Sequence, residues 1–237
     1  RDELGELART LDLMRRQLAT RDEQLRQMLG SVAHEIRNPL GGIALYAGFI
    51  ADDLAAEDPR REHILKVIAE VRNLNQVISD FLVFARPPAT RLERVALREV
   101  MEDALFLLAP EMETASIGVE TEFQSGCEIM ADPPQLKGAV VNVLKNAVQA
   151  MKSGGTIRID LADSDGRVVA TIQDTGIGIG TEELNHILDP FYTTREKGSG
   201  LGLAIVQQVV SRHQGQLEIT STPGTGTRVR MIFGRAT

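Results

Sequence analysis

The strongest constraint on this chain lies in its first 32 residues. Leu4, Leu7, Leu11, Met14, Leu18, Leu25, Met28 and Val32 recur at alternating spacings of three and four, with only Arg21 breaking the row. A seam of that period stays turned toward one partner only when the helix winds around another helix. An amphipathic core helix is the plainer alternative, but the regularity favours a coiled coil. A second helical pattern follows over about residues 60–85, through Ile64, Val67, Ile68, Val71, Leu74, Ile78, Phe81, Leu82 and Ala85. The acidic stretch from Asp52 to Pro59 suits a turn between them, and Pro87-Pro88 stops the second helix. The pattern therefore predicts a long helical hairpin over residues 1–86. One hairpin cannot cover its own apolar stripe, whereas two can, as a four-helix bundle in a homodimer.

From about Arg91 the period changes. Helices are expected over Leu97–Thr114, Pro133–Met151 with Asp132 as N-cap, and Leu201–His213. Strands are expected at Ile117–Phe123, Cys127–Ala131, Thr156–Ala162, Arg167–Gln173, Gln216–Ser221 and Thr227–Phe233. Helices interleaved with mainly antiparallel strands predict a two-layer α/β sandwich. Composition narrows the function. With 26 Lys and Arg against 33 Asp and Glu the net charge is −7, which argues against a nucleic-acid partner. The one cysteine, Cys127, excludes an internal disulfide framework and a Cys-rich zinc site. No apolar run approaches the roughly 18 residues of a membrane helix.

Several residue groups carry chemistry. In Ala33-His34-Glu35-Ile36-Arg37-Asn38-Pro39-Leu40, the heptad register puts His34 off the seam, exposed. An exposed neutral imidazole is a competent nucleophile near neutral pH. Asn38 shares its helix face, Arg37 is within reach of a phosphoryl oxygen, and Pro39 is expected to bend or loosen the helix. Taken alone, His34 reads more readily as a solvated surface histidine, but that reading does not explain why Pro, Asn and Glu surround it. Asn142 and Asn146 share a helix face and present two hard amide oxygens suited to Mg²⁺, or are simply surface residues. Asp174-Thr175-Gly176-Ile177-Gly178 ends a strand; it offers a carboxylate to an adenine amino group with glycines for close approach, or is only a tight turn. Gly198-Ser199-Gly200-Leu201-Gly202-Leu203 opens a helix, where free N–H groups and Lys197 make an anion site, or a hinge. Thr181–Lys197, containing Phe191-Tyr192-Thr193-Thr194-Arg195, reads as a mobile lid or a surface excursion. No GxxxxGK[ST] loop is present. His63, His186 and His213 read as surface or packing residues.

In order, from residue 31 to residue 227, these groups resemble the boxes of bacterial sensor histidine kinases of two-component systems. Ser31–Leu40 is similar to the H box, Asn142–Ala147 to the N box, Asp174–Gly178 to the G1 box and Phe191 to the F box. Gly198–Gly202 is similar to the G2 box and Gly224–Thr227 to the last glycine motif. The short lid resembles that of nitrogen-regulation sensors, and Asp2–Met14 resembles the second helix of a HAMP relay. The resemblance implies a HAMP-like coiled coil over 1–27, an all-α dimerisation and phosphotransfer hairpin over 28–88, and a Bergerat-type (GHKL) ATP-binding sandwich over 89–237. It implies ATP and Mg²⁺ as cofactors and the receiver domain of a separate response regulator as partner. It also implies a membrane-spanning sensor ahead of residue 1, the chain then being the cytoplasmic portion of an inner-membrane protein. By resemblance His34 accepts the phosphoryl group, Glu35 handles its proton, and Asn38 positions water for regulator dephosphorylation. Asn142 and Asn146 would hold Mg²⁺. Asp174, with Gly176, Gly178 and Thr227, would read adenine; Thr193, Thr194, Lys197, Gly198, Ser199, Gly200, Leu201, Gly202 and Leu203 would hold the phosphates. Gln149 departs from the pattern, standing where many relatives carry a phosphate-contacting Lys, and that contact is expected instead from Lys152 or Lys197. A GHKL-type ATPase without histidine phosphorylation, or a degenerate scaffold, is the rival reading. An ATPase would not need His34-Glu35 on a dimer helix, and the intact Asn146, Asp174 and Gly198–Gly202 speak against a scaffold.

Overall fold

The computed structural model describes residues 2–164, 166–195 and 198–236, without the side chains of residues 2–13, 15–27, 29 and 164. The seam side chains of Leu4, Leu7, Leu11, Leu18 and Leu25, and the whole of Lys197, lie outside the described residues. The chain divides into two compact units, Arg1–Pro87 and Pro88–Thr237.

The first unit is two helices, α1 (Asp2–Asp53) and α2 (Pro59–Ala85). α2 begins where expected. The Asp58 carboxylate accepts the Arg60 N–H at 2.8 Å and Pro59 occupies the first turn. The Arg60 side chain and N–H together hold the Asp58 carboxyl down at about 2. α1 runs through Pro39 as one helix. Proline forfeits one hydrogen bond, and the neighbouring bonds carry the helix on. The two helices meet through small residues. Ala33, Ala47 and Ala51 of α1 and Val71 of α2 are buried. Polar ties cross the hairpin: Arg37 Nη2 donates to Ser79 Oγ at 3.1 Å, and Arg61 Nε to the Ala51 carbonyl at 3.3 Å.

The second unit holds two sheets. β1 (Glu93–Ala96) and β3 (Glu128–Ala131) form an antiparallel pair. β2 (Ile117–Phe123), β4 (Gly155–Ser164), β5 (Arg167–Asp174), β7 (Gly226–Gly234) and β6 (Gln216–Thr222) form a five-stranded sheet in that order. Three helices pack on one face: α3 (Leu97–Thr114), α4 (Pro133–Ala150) and α6 (Gly202–Arg212); a four-residue α5 spans Thr181–Leu184. Met101, Leu108, Leu136, Leu144 and Val210 of the helices are buried, as are Ile157, Ile159, Leu161, Ile172 and Met231 of the strands. The other face is polar. Glu120, Arg158, Gln173 and Arg228 lie in one transverse row, with Arg158 donating to Glu120 at 2.6 Å and Arg228 to Gln173 at 2.9 Å. One apolar and one solvated sheet face make the two-layer sandwich that the sequence predicts.

Two features were not foreseen. β1 is too short for its period to register. β2 and β4 pair in parallel, because the chain between them runs through β3 and α4 as a crossover. Among the described residues no helix is long and apolar enough to cross a membrane.

Candidate functional site

In the first unit the His34 ring is exposed, as the heptad register predicts. Asn38, one turn on, brings its Nδ2 to 3.3 Å from His34 Nδ1. An amide nitrogen only donates, so Nδ1 accepts and the neutral ring carries its proton on Nε2, which is free of partners among the described residues. Glu35 turns back along the helix, its Oε1 accepting from Ser31 Oγ at 3.2 Å. Arg37 reaches across the hairpin to Ser79 and not toward the His34 ring.

In the second unit, Asp174 closes β5 and is 6% exposed. Its Oδ1 accepts the Gly176 N–H at 2.8 Å and the Thr227 N–H at 3.2 Å. Its Oδ2 has no partner among the described residues. Burial pushes the Asp174 carboxyl above its ordinary value, against the two N–H donors and the Arg195 charge. Gly176 is required here: a Cβ would stand 2.7 Å from Ala150 Cβ and 2.8 Å from Asp174 Oδ1. Gly178 packs its backbone against Thr222. The Thr227 side chain is 2.9 Å from Ser221 Oγ.

Ser221, which sequence reasoning missed, ties these pieces together. It accepts the Ile179 N–H at 2.8 Å and donates to the Gly226 carbonyl at 2.9 Å. It thereby joins the turn after β5 to the hairpin that supplies the Thr227 N–H. A lone serine in Ser221-Thr222-Pro223 carries no pattern that would mark it in a sequence.

The glycine-rich segment leads into α6. Leu201 is fully buried and its N–H donates to Ser199 Oγ at 3.3 Å; Gly202 and Leu203 form the first helical turn. The free N–H groups of that turn suit an anion. Phe191 and Gly200 pin the neck of the preceding loop, Phe191 N–H donating to Gly200 O at 3.0 Å. A Cβ on Gly200, at φ +67°, would stand 2.4 Å from Phe191 C. Of the expected lid, residues 191–195 are described as loop, and the earlier part folds as α5 and turns. Thr193 Oγ1 accepts the Arg195 N–H at 3.1 Å, Gly198 N–H donates to Arg195 O at 3.3 Å, and Thr194 is exposed.

Asn142 and Asn146 do share a face of α4, and their amide oxygens have the hard character that Mg²⁺ takes. Asn142 Nδ2 donates weakly to Gly202 O at 3.5 Å, tying α4 to the start of α6, and its oxygen has no partner among the described residues. Asn146 Oδ1 accepts from Arg195 Nη1 at 2.8 Å. The donor chemistry fits a divalent cation, although one of the two oxygens is taken by a guanidinium. Arg195 also donates to Gln149 Oε1. Neither residue had been given a role, because the contact joins a lid to a helix 46 positions away.

Two family descriptions match. Residues 24–90 match the His Kinase A (phospho-acceptor) domain, and residues 131–236 match the histidine kinase-, DNA gyrase B-, and HSP90-like ATPase. The signal transduction histidine-protein kinase AtoS of Escherichia coli (strain K12) is 35% identical over 222 residues, covering 91% of this chain and 36% of AtoS. A mycobacterial sensor histidine kinase, MprB, has a solved structure 31% identical with TM-score 0.56, covering 62% of this chain and all of that one. The crystal structure of full-length ShkA in complex with AMPPNP is 25% identical with TM-score 0.75, covering 89% of this chain and 46% of ShkA. The chain spans less than half the length of the curated relatives it matches. An exposed histidine on a helical hairpin, an Asp-and-glycine pocket on a two-layer sandwich and these matches together make the chain a member of the sensor histidine kinases.

Proposed function

We propose that this chain uses ATP to phosphorylate His34 and passes the phosphoryl group to an aspartate on the receiver domain of a separate response regulator. The observation that carries the nucleotide half of this reading is the division of labour within Asp174. One oxygen is held by two backbone N–H groups and the other is free to accept from the adenine amino group. The ATP-analogue complex of ShkA supports the same reading. The N–H groups of Gly198–Leu203 bind the phosphates, with Thr193, Thr194 and Lys197 beside them. Asn142 and Asn146 would hold Mg²⁺, which would supply charge neutralisation at the phosphates.

At the acceptor, His34 Nε2 is the free nitrogen. In the transfer Asn38 has to release Nδ1 so that the ring proton moves there and Nε2 attacks with its lone pair; the N–P bond forms, the bond from the γ-phosphorus to the bridging oxygen breaks as ADP leaves, and the Nδ1 proton passes to Glu35 or water. Glu35 has to leave Ser31 to take that proton. Catalysis is then mainly positioning. Asn38 holds the ring now, and with the phosphoryl group on the regulator it positions a hydrolytic water, making the same chain a phosphatase.

The first unit is proposed to work as a homodimer. Ile36, Ile43 and Ile50 recur every seven residues on α1 and are exposed, on a face distinct from the buried Ala33, Ala47 and Ala51. A second copy of the hairpin covers that stripe. Labelling with γ-³²P ATP and Mg²⁺ tests the central claim. An acid-labile, base-stable label is expected on the wild type and absent from His34→Gln. Label that persists in the variant would mean that another residue is the acceptor.

A further inference from the structure

We propose that Ser221 is a positioning residue of the base pocket: it takes up the proton of the Thr227 hydroxyl, so that the wall beside Asp174 offers lone pairs alone and selects a base edge bearing an amino group over one bearing a carbonyl. The inference rests on the adenine reading proposed for Asp174.

Sheet register brings the three side chains together. Ser221 of β6 stands opposite Thr227 of β7, and the pairing of Gln173 with Arg228 puts Asp174 of β5 opposite Thr227 on its other side. Residues directly opposite in antiparallel strands share a face, so Asp174, Thr227 and Ser221 form one transverse row. It is the helix-facing row, since Val229 and Met231, two and four residues on from Thr227, are buried while Arg228 is exposed. The Thr227 side chain therefore stands between Ser221 and Asp174, and its backbone N–H is held on Asp174 Oδ1 at 3.2 Å.

Counting protons then fixes what each oxygen can offer. A hydroxyl has one proton and two lone pairs. Ser221 Oγ accepts the Ile179 N–H at 2.8 Å and donates to Gly226 O at 2.9 Å, which uses its only proton. The 2.9 Å contact between Ser221 Oγ and Thr227 Oγ1 can then be made only with the proton of Thr227. Thr227 Oγ1 keeps lone pairs and no proton for a ligand. An ionised Asp174 is likewise acceptor-only, and its Oδ2 has no partner among the described residues. Two neighbouring acceptors match the two N–H bonds of an exocyclic amine. Against a 6-oxo purine they set lone pair against lone pair and leave polar groups unpaired beside the buried Asp174. Ser221 thus acts on the base only through Thr227.

Calorimetric titration of the whole chain in MgCl₂ with ADP and with inosine diphosphate tests the assignment, because the second carries a carbonyl where the first carries the amino group. The wild type is expected to favour ADP. Ser221→Ala frees the Thr227 proton for the carbonyl, so the ratio of the two affinities should fall about fivefold, the worth of one hydrogen bond. Ser221→Thr keeps the hydroxyl and should keep the wild-type ratio. Thr227→Val should lower the ratio by itself, and adding Ser221→Ala to it should lower the ratio no further, since no hydroxyl is left to turn. A serine that only braces the fold would weaken both nucleotides equally in Ser221→Ala, and that result overturns the proposal. So does an unchanged ratio in Thr227→Val, or a further fall in the double variant. A wild type that binds neither nucleotide, or both alike, would sink the adenine reading and this inference with it. A wild type that favours ADP upholds that reading, so an unchanged ratio in Ser221→Ala then counts against Ser221 alone.

Discussion

The two units solve the problem of apolar surface in opposite ways. The sandwich buries its large side chains within one chain: Leu136, Leu144, Ile157, Ile159 and Met231 are all fully enclosed. Among its described side chains the hairpin buries alanines and one valine and leaves Ile36, Ile43, Ile50, Tyr46 and Phe49 in solvent. Burying a large aliphatic side chain contributes about 1.5–3 kcal/mol, so the sandwich is complete alone and the hairpin is not. The difference suits the proposed division of work. A nucleotide pocket needs fixed geometry, whereas a signal-receiving helix pair needs packing that can change.

The largest effect should come from spoiling the hairpin stripe. Ile43→Asp would bury a charge without a partner on each side of the two-fold, weakening the dimer by at least about 100-fold. Sedimentation should show monomers at micromolar concentration, and circular dichroism a loss of helix. Amide protection in β4 and β5 should not change. A dimer of undiminished strength would show that the stripe is not the seam, and the contrast between the units would collapse.

This contrast was partly legible in the sequence. Heptad spacing marks a helix with an apolar face, and the two prolines at 87 and 88 mark where the pattern stops. Alternation in Arg167–Asp174 gives a half-buried strand directly. Pairing is a different matter, because nothing in Ile117–Phe123 says that its neighbour is parallel. In the site, glycine motifs are legible since few residues reach their backbone shapes. Long-range polar contacts are not: Arg195 to Asn146, Ser221 to Ile179 and Arg37 to Ser79 join residues that no local period connects. Arg37, a cation three residues from His34 whose spacing suggests phosphoryl contact, donates to Ser79 on the opposite helix, a partner no local period marks.

A smaller effect, confined to the sandwich, sharpens the comparison. His213, 6% exposed, accepts the Asp132 N–H on Nε2 at 2.9 Å and donates from Nδ1 to the Val209 carbonyl at 2.7 Å. It ties the end of α6 to the start of α4. His213→Ala leaves a buried N–H without an acceptor, costing about 1–3 kcal/mol. Native-state amide exchange should report that loss in α4 and α6, and sedimentation should report an unchanged dimer. A His213→Ala chain that dissociates would mean the units do not stand apart.

The smallest expected effect separates two carboxylates within the sandwich. Asp132 is buried, which alone raises its pKa, but the Arg91 and Gln135 N–H groups and the Gln135 amide outweigh that and hold it below the ordinary carboxylate value. Its contribution to stability is therefore present above about pH 3.9 and is lost as pH falls through its lowered value. Asp174 has the opposite sign. Burial raises it, so the fold favours its protonated form, and stability declines as pH rises from about 3.9 through its raised value. Ionising Asp174 is thus a cost to the sandwich, one that the proposed adenine contact would explain. Asp174→Asn keeps an oxygen for the Gly176 and Thr227 N–H groups and removes the charge. It should leave β5 and α4 amides better protected at pH 7 than in the wild type, with the gain vanishing toward pH 3.5, while ADP binding is lost. The wild type's own ADP affinity should begin to fall on acidification at a higher pH than an ordinary aspartate would give. Equal protection in Asp174→Asn and wild type across that range would mean that Asp174 carries no such cost, and that the pocket is as relaxed as the core beneath it.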